Sequence, residues 1–233
     1  GMGLVKEMFG AIRRMIDFPD QAPLDRIGYF NLGLITRFLF SCLIDADRLN
    51  SAETEDPARK DERIATSGAV QWDVALDRLE TRLAELPRRN YVDDLRREIS
   101  NNCLAKASLP QGIYTLTVPT GGGKTYASLR YALHHAKAHG LERIVYVIPY
   151  TSIIEQNARA IREIIESDED ARPWVLEQHS NLEPELQTWH SKLVSENWDA
   201  PIVLTTMVQL LETLFGGGTR GVRRLHQLAN SVL

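Results

Sequence analysis

Apolar positions divide the chain into two regimes. In "IGYFNLGLITRFLFSCLIDADRL", residues 27–49, Ile27, Phe30, Leu34, Phe38 and Ile44 recur near helical spacing, and Leu39 and Leu43 widen the stripe. That periodicity predicts a buried helix. The following "NSAETEDPARKDERIATSG" is polar and charged, holds a proline and ends in glycine. It predicts an exposed connection and a domain boundary near residues 50–68. Val70, Val74, Leu76, Leu79, Leu83 and Leu86 form a second stripe, stopped at Pro87 because the residue before a proline is pushed out of the helical region. A third helix is expected over residues 92–107.

Beyond residue 110, short apolar runs alternate with longer helical ones. Strands are predicted at 113–118 (IYTLTV), 143–148 (RIVYVI), 174–178 (WVLEQ) and 201–205 (PIVLT). Helices are predicted near 124–139, 152–166, 183–195 and 206–215. Repeated β-α units of this kind give an α/β fold, a mostly parallel sheet covered on both faces. Right-handed crossovers line up the carboxyl ends of its strands, where such sheets bind ligands. The glycines at 216–218 read as a flexible loop, and no internal repeat is evident.

Composition narrows the partners only slightly. With 233 residues and 43% hydrophobic content, the chain suits one large domain or two small ones. Its 27 Lys+Arg against 31 Asp+Glu leave a net charge of −4, so a polyanion would have to be met by a local basic patch. Cys42 and Cys103 form no CxxC pair, which suits a reducing compartment and makes a structural zinc site unexpected. No uninterrupted apolar run reaches the roughly eighteen residues of a membrane span. A cytoplasmic protein without membrane contact is expected.

The chemistry gathers in "VPTGGGKT", residues 118–125, placed between a predicted strand and a predicted helix. Backbone amides of a tight turn at Thr120, Gly121, Gly122 and Gly123 would cradle phosphate oxygens, the glycines removing side chains that block close approach. Lys124 supplies a point charge for β and γ phosphates and Thr125 a hydroxyl for Mg²⁺, both opening a helix whose dipole favours negative charge. Val118 stands where the Walker pattern has its first glycine, the "PTGxGKT" variant. A glycine-rich turn that binds nothing is the alternative, and the strand before and helix after favour phosphate.

"PTGGGKT", then "RIVYVIPYTSIIEQNA", then "APIVLTTMVQLLETLF" resemble motifs I, Ia and Ib of superfamily 2 helicases in their order. In particular they resemble the CRISPR-associated helicase–nuclease of type I systems. "LITRFLFSCLIDADRLNSAE" is similar to the last helix of that family's HD nuclease domain, and "RRLHQLANSVL" to the approach to its DExx strand. The resemblance implies three parts: residues 1–50 as the end of an HD domain, 51–90 as a linker with a helix, and 91–233 as a P-loop RecA-like first helicase domain stopping before the DExx motif. It implies ATP and Mg²⁺ as cofactors, with Lys124 and Thr125 catalytic and Thr125 a Mg²⁺ ligand. It places Pro149, Tyr150, Thr151, Ser152, Thr205 and Thr206 on single-stranded DNA, and makes a guide-RNA surveillance complex the partner. An HD-site divalent metal belongs to the full-length parent, with Asp47 of "DAD" as a remnant ligand.

Several residues carry a second reading. Ser152 and Thr206 equally suit helix caps. Arg220, Arg223 and Arg224 form either a phosphate-facing cluster or a solvated face. Asp45 and Asp47, two apart on a helix, do not share a face, so a helix-end or capping role competes with metal ligation. All six histidines lie at or beyond His134, and the adjacent His134 and His135 cannot converge on a metal, leaving surface or packing roles. Arg97 stands where related sequences commonly have an adenine-reading glutamine; it either stacks on a base or is solvated. The chain by itself is expected to bind ATP weakly and hydrolyse it negligibly. Rival readings are another superfamily 2 motor, restriction-type or acting on RNA, and a non-catalytic nucleotide-binding or docking module.

Overall fold

Four parallel strands, β1 (Arg143–Ile148), β2 (Val175–Gln178), β3 (Ile202–Thr206) and β4 (Ser231–Val232), lie in the order β2-β3-β1-β4. The computed structural model describes residues 26–58, 60, 70–170, 172–178 and 197–233. Alternation along the strands feeds two cores. Ile144, Ile202 and Leu204 pack with Tyr146 and Ile148 on one face, beneath α2 (Trp72–Glu85), α4 (Lys124–His139) and α5 (Thr151–Ile165). Val145 and Val203 face the other way with Val147 and Leu176, meeting Trp198, Leu225 and Leu228, Leu210 and Leu214 of α6 (Met207–Phe215), and Phe38. A sheet covered on both sides is why its strands are nearly continuous apolar runs.

The helices are bounded by local chemistry. In α3 (Tyr91–Lys106), Asn90 caps the start, its side chain accepting from the Val92 and Asp93 amides, and Asp93 and Asp94 complement the dipole. α4 ends at Gly140, φ 62°, with Leu141 N bonding back to Ala136 O at 2.8 Å. α2 is pinned to the sheet domain by Trp72 Nε1, which donates to Leu141 O at 2.7 Å, and by the two-pronged pair of Arg78 with Asp170 at 2.7 and 2.8 Å.

The segment 113–118 forms no strand, which corrects the sequence expectation. Ile113 is fully exposed. The strand on the outer side of β1 is β4, which pairs only through Arg143↔Ser231 and Ile144↔Val232. A cavity of about 440 Å³ separates residues 114–118 from Ile144, Val145 and Tyr146. Strand propensity without an edge to bond makes extended chain and no ladder. The predicted helix at 183–195 lies outside the described residues.

Helix α1 (Arg26–Glu55) runs six residues past the expected end at 49, because nothing in "NSAETE" breaks it before Pro57. The burial expected for its apolar stripe is also corrected: Ile27 and Leu43 are more than 60% exposed, and the buried residues are Gly28, Ser41 and Asp45. The face turned to the sheet domain carries polar groups beside the half-buried Phe38. Ser41 Oγ donates to Arg223 O at 3.0 Å and Arg37 Nη2 to Gly216 O at 2.9 Å, so hydrogen bonds set its orientation. By length and composition alone α1 is apolar enough to cross a membrane. Counting unbroken apolar runs missed this because Asn31, Thr36 and Arg37 interrupt the stretch. The 3₁₀ turn Leu225–Leu228 and the short α7 (Thr219–Val222) pack against α1.

Candidate nucleotide and nucleic-acid site

Between the open segment and α4, three glycines answer two different constraints. Gly121 and Gly123 take φ of 81° and 77°, the left-handed region that strains any residue with a Cβ. At Gly122 a Cβ would lie 2.3 Å from Val118 Cγ1, so the backbone there passes where no side chain fits. Gly122 N closes the turn on Pro119 O at 3.1 Å. Because Gly123 is the N-cap and has no side chain, the first amides of α4 face the loop uncapped, at the positive end of the dipole.

Thr120 and Lys124 are exposed, and Lys124 Nζ rests on Val118 O at 2.9 Å. Thr125 is half-buried and its Oγ1 donates to Asn157 Oδ1 on α5 at 2.8 Å. An ammonium, a hydroxyl with free lone pairs and helix-start amides, over a cradle with no room for a Cβ, are the donor set that a magnesium nucleotide's phosphates require. The residues therefore fit that group: the loop amides and Lys124 would hold its phosphates and the Thr125 hydroxyl its Mg²⁺, which would supply positive charge beside them.

The carboxyl ends of the strands form a rim beside the loop, with Ile148 and Thr206 in register. Pro149, Tyr150 and Ser152 are exposed and Thr151 is half-buried, at the turn from β1 into α5. Tyr150 is the N-cap and makes no side-chain cap, so Ser152 is not one either. Thr206 is the cap of α6, its Oγ1 accepting from Gln209 N at 3.2 Å.

Two expectations for the rim are corrected. Thr205 is completely buried and donates to Gln178 O at 3.1 Å, because strand alternation puts it on the Val203 face under α6; its hydroxyl cannot reach DNA. Arg223 and Arg224 are 3% and 5% exposed, neither a solvated face nor a phosphate cluster. Arg224 lies over the Trp198 ring at 5.6 Å and donates to Gln209 Oε1 at 2.8 Å.

The stretch of sequence that carries this loop is matched by known proteins. The family described as type III restriction enzyme, res subunit, matches residues 91–229. The chain belongs to that family. A curated relative, the CRISPR-associated nuclease/helicase Cas3 of Haloferax volcanii, is 31% identical over 208 residues, covering 78% of this chain. The chain spans 21% of that relative's length. Together these make residues 91–229 a superfamily 2 helicase-type segment, and bear out the resemblance read from the motifs.

In this member of the restriction-enzyme res-subunit family, α2 and α3 wall a cavity of about 610 Å³ that reaches Gly123 and Tyr126. Arg96 Nε donates to Gly121 O at 2.9 Å, holding the outer lip of the loop. Arg97 is half-buried and lines this cavity, not free in solvent: Nη2 donates to Leu86 O at 2.6 Å, tying α3 to the end of α2. Arg130, two turns into α4, grips Glu80 through bonds of 2.7 and 2.6 Å, and His134 Nε2 meets the same carboxylate at 3.1 Å. Burial alone would raise the Glu80 carboxyl; hydrogen bonds and charge from Arg130 and His134 outweigh it and hold the group below its ordinary value. His135 is buried, bonded to Ala107 O at 2.7 Å and stacked on Tyr131, a packing role as expected.

Asn157, which accepts from the Thr125 hydroxyl, is the contact to the loop that the sequence pattern does not reveal. It stands three after Ile154 and four before Ile161, both buried, so spacing assigns position 157 to the apolar stripe. A polar side chain there was the available signal.

Asp45 and Asp47 part company. Asp45 is buried and accepts from Arg223 Nε at 2.8 Å and Asn197 Nδ2 at 3.0 Å, which corrects the helix-end and capping reading. Asp47 is exposed. Among the described residues no group of three or more His, Cys, Asp or Glu is placed to hold a metal.

Proposed function

We propose that the chain is the first motor domain of an ATP-dependent helicase–nuclease of CRISPR defence, binding magnesium ATP on Thr120–Thr125 and single-stranded DNA across Pro149, Tyr150, Thr151 and Ser152. The observation that carries this is the loop itself: positive-φ glycines deliver Lys124 and Thr125 to the rim where β1 and β3 end. The exposed Ser152 hydroxyl, the half-buried Thr151 and the start of α5 suit a phosphate backbone, which is recognised by shape and charge and not by base edges. Alone, the chain binds nucleotide and turns it over negligibly. HD-site metal ligation with Asp47, recruitment by a guide-RNA surveillance complex and a cytoplasmic location belong to the same proposal.

The test is ligand-dependent stabilisation. Magnesium ATP at a hundredfold over its dissociation constant should raise unfolding stability by about 2.7 kcal/mol, and Lys124→Ala should abolish the gain. Oligo(dT) should bind with an affinity that falls as salt rises. A chain that responds to neither ligand is no motor domain. A restriction-type motor is the second reading, favoured by the description of the matching family. Neighbouring genes for DNA modification would support it, and genes for a guide-RNA complex would support the first.

A further inference from the structure

We infer that Asn157 is a positioning residue for the metal-binding hydroxyl of Thr125, and that this one hydrogen bond links the nucleotide loop to the strand-binding start of α5. The inference rests on reading the loop as a magnesium–nucleotide site. Three other helical threonines, Thr36, Thr54 and Thr213, donate to the carbonyl four residues back, at 2.7–2.8 Å. Thr125 sits in the first turn of α4, where the residue four back, Gly121, is outside the helix. Its proton goes across to another helix, to Asn157 Oδ1 at 2.8 Å.

A hydroxyl has one proton and two lone pairs. With the proton committed to Asn157, both lone pairs are left for a cation. The amide cannot reverse its role without loss, because Asn157 Nδ2 donates to Ile153 O at 2.9 Å; turning it over would set Oδ1 against that carbonyl oxygen and lose the bond. Outer partners of this kind set the orientation and basicity of a metal ligand, and their loss typically costs 10–100-fold in metal affinity.

The second bond gives the link a direction. Ile153 is in the first turn of α5, next to Ser152 and Thr151 on the rim. A DNA backbone that shifts this turn moves the Ile153 carbonyl, the Asn157 amide and the Thr125 hydroxyl as a chain. Equilibrium linkage makes the effect mutual: if strand binding tightens magnesium nucleotide, magnesium nucleotide tightens the strand by the same factor.

Two substitutions separate this from a packing role. Asn157→Asp keeps an acceptor for Thr125 and loses the donor to Ile153; Asn157→Leu loses both and suits the apolar stripe. A fluorescent ADP is titrated onto the full chain in EDTA and in Mg²⁺, with and without oligo(dT), alongside melting curves. The expected result is unchanged EDTA affinity in all three proteins. The Mg²⁺ enhancement should be retained in Asn157→Asp and reduced about tenfold or more in Asn157→Leu. The mutual effect of oligo(dT) and nucleotide should vanish in both variants while oligo(dT) binding persists. Full Mg²⁺ enhancement in Asn157→Leu, or equal loss in both variants, overturns the inference alone. A wild-type chain that binds no nucleotide overturns the reading of the loop and the inference with it.

Discussion

Thr205 and Thr206 are adjacent, chemically identical and opposite in circumstance. One is sealed beneath α6 and the other caps it. Sequence identifies the pair and leaves the choice to strand register, since a shift of one position exchanges the two faces. Arg223 and Arg224 teach the same lesson, for charge alone suggested a surface. The three glycines and Lys124 were legible because their constraints are local to the turn. His226 adds a measurable property. Burial holds its imidazole below the ordinary 6.5, aided by the charges of Arg143 and Arg223 and opposed by the Asp45 carboxylate, which lies 3.6 Å from Nε2. The unfolded chain takes up this proton near pH 6.5, whereas the folded one does so only lower. The stability that depends on neutral His226 is thus complete above that pH and drains away as pH falls towards the folded value. Urea unfolding from pH 7.5 to 5.5 should show the decline, and His226→Gln should flatten it.

At the scale of elements, every predicted helix within the described residues is present, most within two residues of the expected limits, because apolar spacing, caps and breakers act over a few positions. Three of the four predicted strands are present as well. The failure at 113–118 has the opposite cause: a ladder needs a partner edge, and that is a property of distant chain. The short β4 escaped notice for the same reason, its two residues being extended by pairing with β1. α3 offers a direct test of local control. Removing the Asn90 cap by Asn90→Ala should cost about 1 kcal/mol in chemical denaturation. If α3 also serves to hold the loop through Arg96 and Gly121, nucleotide affinity should drop alongside.

Across the whole molecule, the sheet domain and α1 meet through a set of polar contacts beside the Phe38 side chain. Asp45, Arg223, Asn197, Ser41 and His226 make a buried network where spacing had suggested a greasy seam. Such a network adds little net stability when complete, yet breaking one side strands a buried charge. Asp45→Ala should lower unfolding free energy by about 3 kcal/mol or more, and hydrogen exchange should show α1 losing protection first. Arg223→Met paired with Asp45→Leu should recover most of the loss. A single substitution as harmful as the pair would mean that the network acts only by filling space.

Val118 and Gly122 depend on each other. The valine occupies the space a side chain at 122 would need, so a mutation of Gly122 to alanine meets its γ-methyl head-on. The two positions are therefore coupled: Gly122→Ala should weaken nucleotide capture, and adding Val118→Gly should relieve the methyl clash while leaving the Pro119 carbonyl oxygen 3.0 Å from the new Cβ, so that recovery is partial.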